Sequence, residues 1–179
     1  VVALESSRAP DYGRLKEYAP FSFTTEETGG IIGNGDITMD WIVHVLKRTV
    51  DTQYRTKADR RHTFLAGSSM GGLMTLYGLL AYPEVFSRGA ALSPSLWIDA
   101  EKVKAMIRHA RVKRNTVLYM DYGALEFADH PHSRSLFAEV SALLIEKRVL
   151  LNSRIVPRGT HCEASWEKQI PFFMKTLFE

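Results

Sequence analysis

Hydrophobic residues in this chain alternate between short continuous runs and stretches with helical spacing. The most distinctive stretch has an apolar run at residues 63–66, then Gly67-Ser68-Ser69-Met70-Gly71, then leucines at helical spacing as far as Leu80. Such a run is typical of a buried strand, and the spacing after it is typical of a helix, which Tyr82-Pro83 ends. The stretch therefore predicts a strand, a sharp turn and a helix in direct succession.

The same alternation continues along the chain. Apolar runs predict strands at residues 1–4, 89–92, 117–120 and 154–156, and helical spacing predicts helices at residues 37–54, 132–147 and 164–177. Alternating strands and helices indicate an α/β fold with a mostly parallel sheet and helices on both faces. In such sheets, ligands bind beyond the carboxyl ends of the strands.

Length, composition and charge change this picture little. The 179 residues are 45% hydrophobic and 24% charged, as expected for one globular domain with a sizeable core. The net charge of +3 is mild and the basic residues form no single block, so we expect no nucleic-acid partner. Because no apolar run approaches the roughly 18 residues of a membrane span, we expect no membrane association.

The N-terminus and the cysteine count bear on processing and compartment. The chain has no initiator methionine, and residues 1–4 read as a strand already in progress. We therefore expect residues 1–179 to be a single domain that is a fragment, a processed form or an unusually compact version of its fold. The single cysteine, Cys162, excludes an internal disulfide and is compatible with the cytoplasmic location that we expect.

Ser69 is the candidate nucleophile. In a G-x-S-x-G between strand and helix, the serine backbone is strained, and Gly67 and Gly71 would let the two elements approach closely. The hydroxyl would then stand at the N-terminus of the helix, where free N–H groups favour a developing oxyanion. The N–H of Met70 is the predicted first donor. A glycine-rich turn that only packs tightly is the alternative interpretation.

A serine nucleophile needs a base, and the base needs a carboxylate that orients it. His161 follows the last predicted strand and is the candidate base, while Glu126 follows the strand predicted at residues 117–120. Side chains at the carboxyl ends of parallel strands can converge, although they are far apart in sequence. Asp121 remains the alternative acid. Cys162 lacks a comparable turn, and we expect it to be a small buried thiol.

Residues around these three are candidates for binding the substrate. Ser68 precedes the nucleophile, Ser93 and Trp97 follow the strand predicted at residues 89–92, and His130 lies in the loop after Glu126. We expect them to border the pocket. Scattered histidines and one cysteine make no convincing set of metal ligands, so neither a metal nor another cofactor is expected.

Several segments carry a resemblance to a known family. They are Arg14-Leu15-Lys16-Glu17-Tyr18-Ala19-Pro20 (R-x-x-E-Y-x-P), the G-x-S-M-G-G of residues 67–72, Gly123-Ala124-Leu125-Glu126 (Gly-x-x-acid), and the G-x-H-x-E-x-x-W of residues 159–166. Together they resemble the Putative esterase family of α/β-hydrolases, which includes enterochelin-type esterases, feruloyl esterases and S-formylglutathione hydrolase. The resemblance covers nearly the whole chain.

The resemblance implies an α/β-hydrolase fold and a serine hydrolase that cleaves carboxylic esters through an acyl-enzyme on Ser69, with His161 and Glu126 completing a triad. The family's fold begins with further strands, and a loop there supplies the second oxyanion N–H. Since this chain starts after them, the resemblance implies that either another segment supplies this donor or the domain is catalytically impaired. The sheet edge left exposed would also favour pairing with a second copy or with a missing N-terminal segment. Acyl transfer to an alcohol uses the same intermediate and remains an alternative.

Overall fold

The structure is a computed structural model that describes residues 1–26, 28–129 and 132–179, with the backbone alone at residues 128 and 129. Its N-terminal part contains a short helix, α1 (Gly13–Tyr18), and an antiparallel hairpin of β1 (Phe23–Thr25) and β2 (Gly29–Ile31). A continuous helix follows, made of α2 (Gly35–Trp41), a π-helical segment (Ile42–Leu46) and α3 (Lys47–Gln53). This helix corresponds to the one predicted at residues 37–54.

The centre of the fold is a four-stranded parallel sheet. Its strands lie side by side in sequence order: β3 (Phe64–Ser68), β4 (Arg88–Leu92), β5 (Val117–Gly123) and β6 (Leu150–Val156). The helices after β3 are α4 (Met70–Ala81), α5 (Ala100–His109), α6 (Glu126–Asp129), α7 (Ser133–Glu146), α8 (Glu163–Glu167) and α9 (Ile170–Phe178). Because the strands are parallel, their carboxyl ends meet at one end of the sheet.

Helices cover both faces of this sheet, as the alternating pattern predicts. Side chains along β5 point to opposite faces in turn, so Leu118 and Met120 enter a large core with residues of α4, α5 and α7. Tyr119 faces a smaller core that includes Leu177 of α9. None of the helices in the described ranges combines the length and the apolar surface that a membrane span requires.

One predicted strand is wrong, and one predicted helix is wrong in its bounds. Residues 1–4 form no strand, and Val2 and Leu4 are exposed, because an apolar run becomes a strand only when a neighbouring strand accepts its backbone hydrogen bonds. The helix predicted at residues 164–177 is divided into α8 and α9, and Pro171 lies in the first turn of α9. A proline there removes no helical hydrogen bond, so it begins a helix instead of disturbing one.

Candidate active site

The turn that carries Ser69 folds as predicted. Ser69 lies between β3 and α4 with φ of 56° and ψ of −121°, where residues other than glycine are rarely found. Its N–H donates to the Leu92 carbonyl oxygen at 2.9 Å, and its own carbonyl oxygen accepts from Ser95 N–H at 3.1 Å. The last residue of β4 and the loop after it therefore hold the strained backbone on both sides. Met70, the predicted oxyanion donor, is the first residue of α4.

The two glycines of this turn differ in what they allow. A Cβ at Gly67 would lie 2.5 Å from backbone atoms of Gly71, so only glycine lets β3 and α4 approach this closely. A Cβ at Gly71 would meet none of the described atoms within 4 Å. The prediction that both glycines supply room is therefore right for Gly67 and wrong for Gly71.

Ser69, His161 and Glu126 come together from the ends of three strands. Ser69 Oγ lies 2.9 Å from His161 Nε2, and His161 Nδ1 lies 2.7 Å from Glu126 Oε2. A carboxylate only accepts hydrogen bonds, so the proton is assigned to Nδ1, and Nε2 is left to accept from the serine hydroxyl. Glu126 is 5% exposed, whereas the His161 side chain is 43% exposed. The carboxylate is thus enclosed and the imidazole reaches solvent.

Hydrogen bonds keep the Glu126 carboxyl ionised despite its burial. The second oxygen, Oε1, accepts from Gly123 N–H at 2.8 Å and from Ser93 Oγ–H at 2.7 Å. Burial raises the pKa of Glu126, but the hydrogen bonds from His161, Ser93 and Gly123 outweigh it and hold the pKa below its ordinary value. The group is therefore a carboxylate at neutral pH.

Asp121, the alternative acid, lies inside β5 and is directed elsewhere. It is 1% exposed, and its oxygens accept from Tyr119 O–H at 2.7 Å and from Ser93 N–H at 3.2 Å. Burial raises the pKa of the Asp121 carboxyl. The geometry therefore favours Glu126 over Asp121 as the partner of His161.

Two residues beside the acid and base were not identified as such from the sequence. Ser93 was expected to border the pocket, but it is 1% exposed and bonds to Glu126, so that prediction is wrong. Trp166 Nε1–H donates to Ser93 Oγ at 3.0 Å, and its ring lies 4.9 Å from the His161 ring, edge on. The signal that could have indicated Trp166 is its fixed spacing after His161 in the G-x-H-x-E-x-x-W segment.

The other candidate residues have varied positions. Ser68 ends β3 and lines a cavity of about 610 Å³ beside that strand, while Trp97 lies in a 3-10 turn (Leu96–Ile98) and is 42% exposed. His130 lies outside the described residues.

Cys162 is half-buried, so the prediction of a buried thiol is wrong. Its Sγ lies 3.2 Å from Thr160 Oγ1, in the exposed loop that leads into α8. Across the described chain, no three His, Cys, Asp or Glu side chains are grouped so as to hold a metal ion.

Comparison with solved structures confirms the α/β-hydrolase fold. An IroE-like serine hydrolase from Shewanella oneidensis has a TM-score of 0.73 at 19% identity, over 92% of this chain and 55% of that chain. Siderophore hydrolase EstA from Aspergillus nidulans has a TM-score of 0.64 at 19% identity, over 88% of this chain and 63% of that chain.

A family model described as Putative esterase matches residues 24–174, so the chain belongs to this family. A curated relative, Iron(III) salmochelin esterase of Escherichia coli O6:H1 (strain CFT073), is 35% identical over 78 residues. That match covers 43% of this chain and 19% of the relative.

Proposed function

We propose that this chain is a serine hydrolase that cleaves carboxylic esters through an acyl-enzyme on Ser69. The observation that carries the proposal is the continuous line of hydrogen bonds from Ser69 Oγ through His161 to Glu126, at 2.9 Å and 2.7 Å. Membership of a family of esterases supports the reaction class. The strained backbone at Ser69 supports its role, because such strain is concentrated at functional sites.

The first half of the proposed reaction forms the acyl-enzyme. Ser69 Oγ attacks the ester carbonyl carbon while its proton passes to His161 Nε2. The Glu126 carboxylate stabilises the resulting imidazolium through Nδ1–H. Negative charge develops on the carbonyl oxygen near the N-terminus of α4, where Met70 N–H is the proposed donor. The bond to the alcohol oxygen then breaks, and the alcohol leaves with the proton from Nε2.

The second half releases the acid. A water molecule loses a proton to His161 Nε2 and attacks the acyl carbon, after which Ser69 Oγ takes the proton back and the carboxylic acid departs. The His161 side chain is 43% exposed, which lets water approach the imidazole. An alcohol in place of water would give acyl transfer, so product analysis with added alcohol acceptors separates the two reactions.

The named relatives guide the choice of substrate. The Escherichia coli relative is named for esters of iron(III) salmochelin, and EstA is named a siderophore hydrolase. We therefore propose siderophore esters as the first natural substrates to assay, beside small p-nitrophenyl esters that report on the chemistry alone. Trp97 and Ser68 are the proposed contacts for the substrate in the described part of the chain, and His130 remains a proposed contact from sequence.

The experiment that tests the proposal is active-site labelling of the 179-residue chain. A fluorophosphonate should give one adduct, located on the Ser69 peptide by mass spectrometry. Ser69→Ala should remove the adduct and lower ester turnover by an amount on the order of 10⁶-fold. Ser153→Ala, which changes an exposed serine on β6, is the matched control and should label like wild type. A chain that melts cooperatively but takes no label would contradict the proposal.

A further inference from the structure

A buried serine joins the carboxylate of the site to helix α8. Ser93 follows β4 with φ of 41°, a left-handed conformation that is unfavourable for serine. Its N–H donates to the backbone oxygen of Asp121 at 3.0 Å and to a carboxylate oxygen of Asp121 at 3.2 Å. Its hydroxyl donates to Glu126 Oε1 at 2.7 Å. The unfavourable backbone is therefore held where the hydroxyl can reach Glu126.

The two oxygens of Glu126 have different partners. Oε1 accepts from Ser93 and from Gly123 N–H, whereas Oε2 faces His161 Nδ1. The last torsion of a glutamate is soft, and its two oxygens are chemically equivalent. Two donors on Oε1 therefore fix the plane of the carboxylate and leave Oε2 for the imidazole. Without the serine hydroxyl, Oε1 would keep Gly123 N–H as its one donor among the described residues.

Trp166 controls the direction of the serine hydroxyl. Its Nε1–H donates to Ser93 Oγ at 3.0 Å, so the oxygen is occupied as an acceptor and its hydrogen is left to point toward Glu126. The same indole packs against the His161 ring at 4.9 Å between centroids and 84° between planes. One side chain thus contacts the base directly and the acid through Ser93.

We infer that Trp166 and Ser93 are positioning residues, which select the Glu126 oxygen presented to His161 and fix the plane of the imidazole. The inference rests on the proposed function, since both residues would act through Glu126 and His161 and not on the substrate. Their removal should lower kcat and leave KM unchanged.

Three variants test the inference by kinetics. Ser93→Ala removes the hydroxyl, and Ser93→Gly removes it while relieving the left-handed backbone, so a folding defect in the first is checked by the second. Each should lower kcat/KM by about 10- to 100-fold. Trp166→Phe keeps a ring against His161 but removes the N–H that donates to Ser93, and it should lower kcat/KM by about 10-fold. Trp41→Phe, on the exposed side of α2, is the control and should behave like wild type.

The double variant Ser93→Ala/Trp166→Phe tests whether the two residues act through the same hydrogen bonds to Glu126 or through two separate effects. If both residues act on Glu126 in series, the double variant should be no slower than Ser93→Ala alone. Additive losses would overturn the inference, because they would mean that the residues act independently.

A spectroscopic reading separates this inference from the proposed function. The His161 Nδ1–H in its short bond to Glu126 should give a strongly deshielded proton resonance that Glu126→Gln removes. Ser93→Gly and Trp166→Phe should shift it upfield and speed its exchange with water. If wild type labels at Ser69 while both variants keep the wild-type labelling rate and the unshifted proton, the positioning role is wrong. If wild type itself takes no label, it is the proposed function that fails.

Discussion

The turn that carries Ser69 and the turn that carries Glu126 are built differently. The Ser69 turn follows β3, an outer strand whose residues are only partly buried, and a cavity of about 610 Å³ lies beside it. The Glu126 turn follows β5, an inner strand that is buried over most of its length. There the carboxylate accepts three hydrogen bonds and is 5% exposed.

The two regions therefore differ in how far solvent reaches them and in how closely a charged group is enclosed. The His161 side chain is 43% exposed, so the proposed proton transfer from Ser69 takes place where solvent has access. A carboxylate that stabilises an imidazolium gains from enclosure, because hydrogen bonds to a charge are stronger where the local dielectric constant is low. We therefore expect substitutions that contact the buried Glu126 carboxylate to be tolerated less well than substitutions at exposed positions.

The largest expected effect distinguishes the two carboxyl groups. Glu126→Gln should lower kcat/KM for a p-nitrophenyl ester by about 10³- to 10⁴-fold, because a neutral amide cannot stabilise the imidazolium. Asp121→Asn should lower kcat/KM by less than about 10-fold, since Asp121 accepts hydrogen bonds from Tyr119 and Ser93 and not from His161. A greater loss from Asp121→Asn would reverse their roles.

A smaller effect is expected from alanine substitutions at one glycine in each of the two turns. At Gly123, an added Cβ would clash with the backbone of Gly159 and would lie 2.6 Å from Glu126 Oε1. Gly123→Ala should therefore lower the free energy of unfolding by about 1–3 kcal/mol and slow fluorophosphonate labelling by about 10²-fold. Gly71→Ala is the control for stability, because no side chain or other element of the described residues lies within 4 Å of a Cβ there, and it should keep the wild-type Tm. Equal losses of Tm in both variants would show that the close approach at Gly123 does not set the stability of this turn.

The smallest effect is a difference in how stability depends on pH. Burial raises the pKa of Glu126, but its hydrogen bonds bring it below the ordinary 4.5, so its stabilisation is present above about pH 4.5 and is lost as pH falls through the folded pKa. Burial raises the pKa of Asp121 above the ordinary 3.8, so the cost of its buried charge grows as pH rises through the folded pKa.

Urea unfolding between about pH 3 and about pH 7 measures this difference. The free energy of wild type minus that of Glu126→Gln should rise with pH, and the same difference for Asp121→Asn should fall with pH. Slopes of the same sign for both variants would contradict the two environments described above.

The site residues that could be predicted from sequence are those whose positions follow from the order of strands and helices alone. Ser69, His161 and Glu126 each follow an apolar strand, so the parallel topology brings them to one end of the sheet without any knowledge of side-chain contacts. The bond from Trp166 to Ser93 was not predictable, because it joins side chains 73 positions apart and leaves no periodic signal. The strand predicted at residues 1–4 was wrong for the converse reason. An apolar run is a local property of the sequence, whereas a strand forms only beside a second strand that shares its backbone hydrogen bonds.

The most direct test is to trap the acyl-enzyme. The chain is mixed with p-nitrophenyl acetate, quenched in acid at successive times and digested for mass spectrometry. We predict an acetyl group on the Ser69 peptide that forms as fast as the burst of p-nitrophenolate, and that neither appears in Ser69→Ala. Continued ester turnover by Ser69→Ala, or an acetyl group that accumulates on another residue at the rate of turnover, would contradict an acyl-enzyme on Ser69.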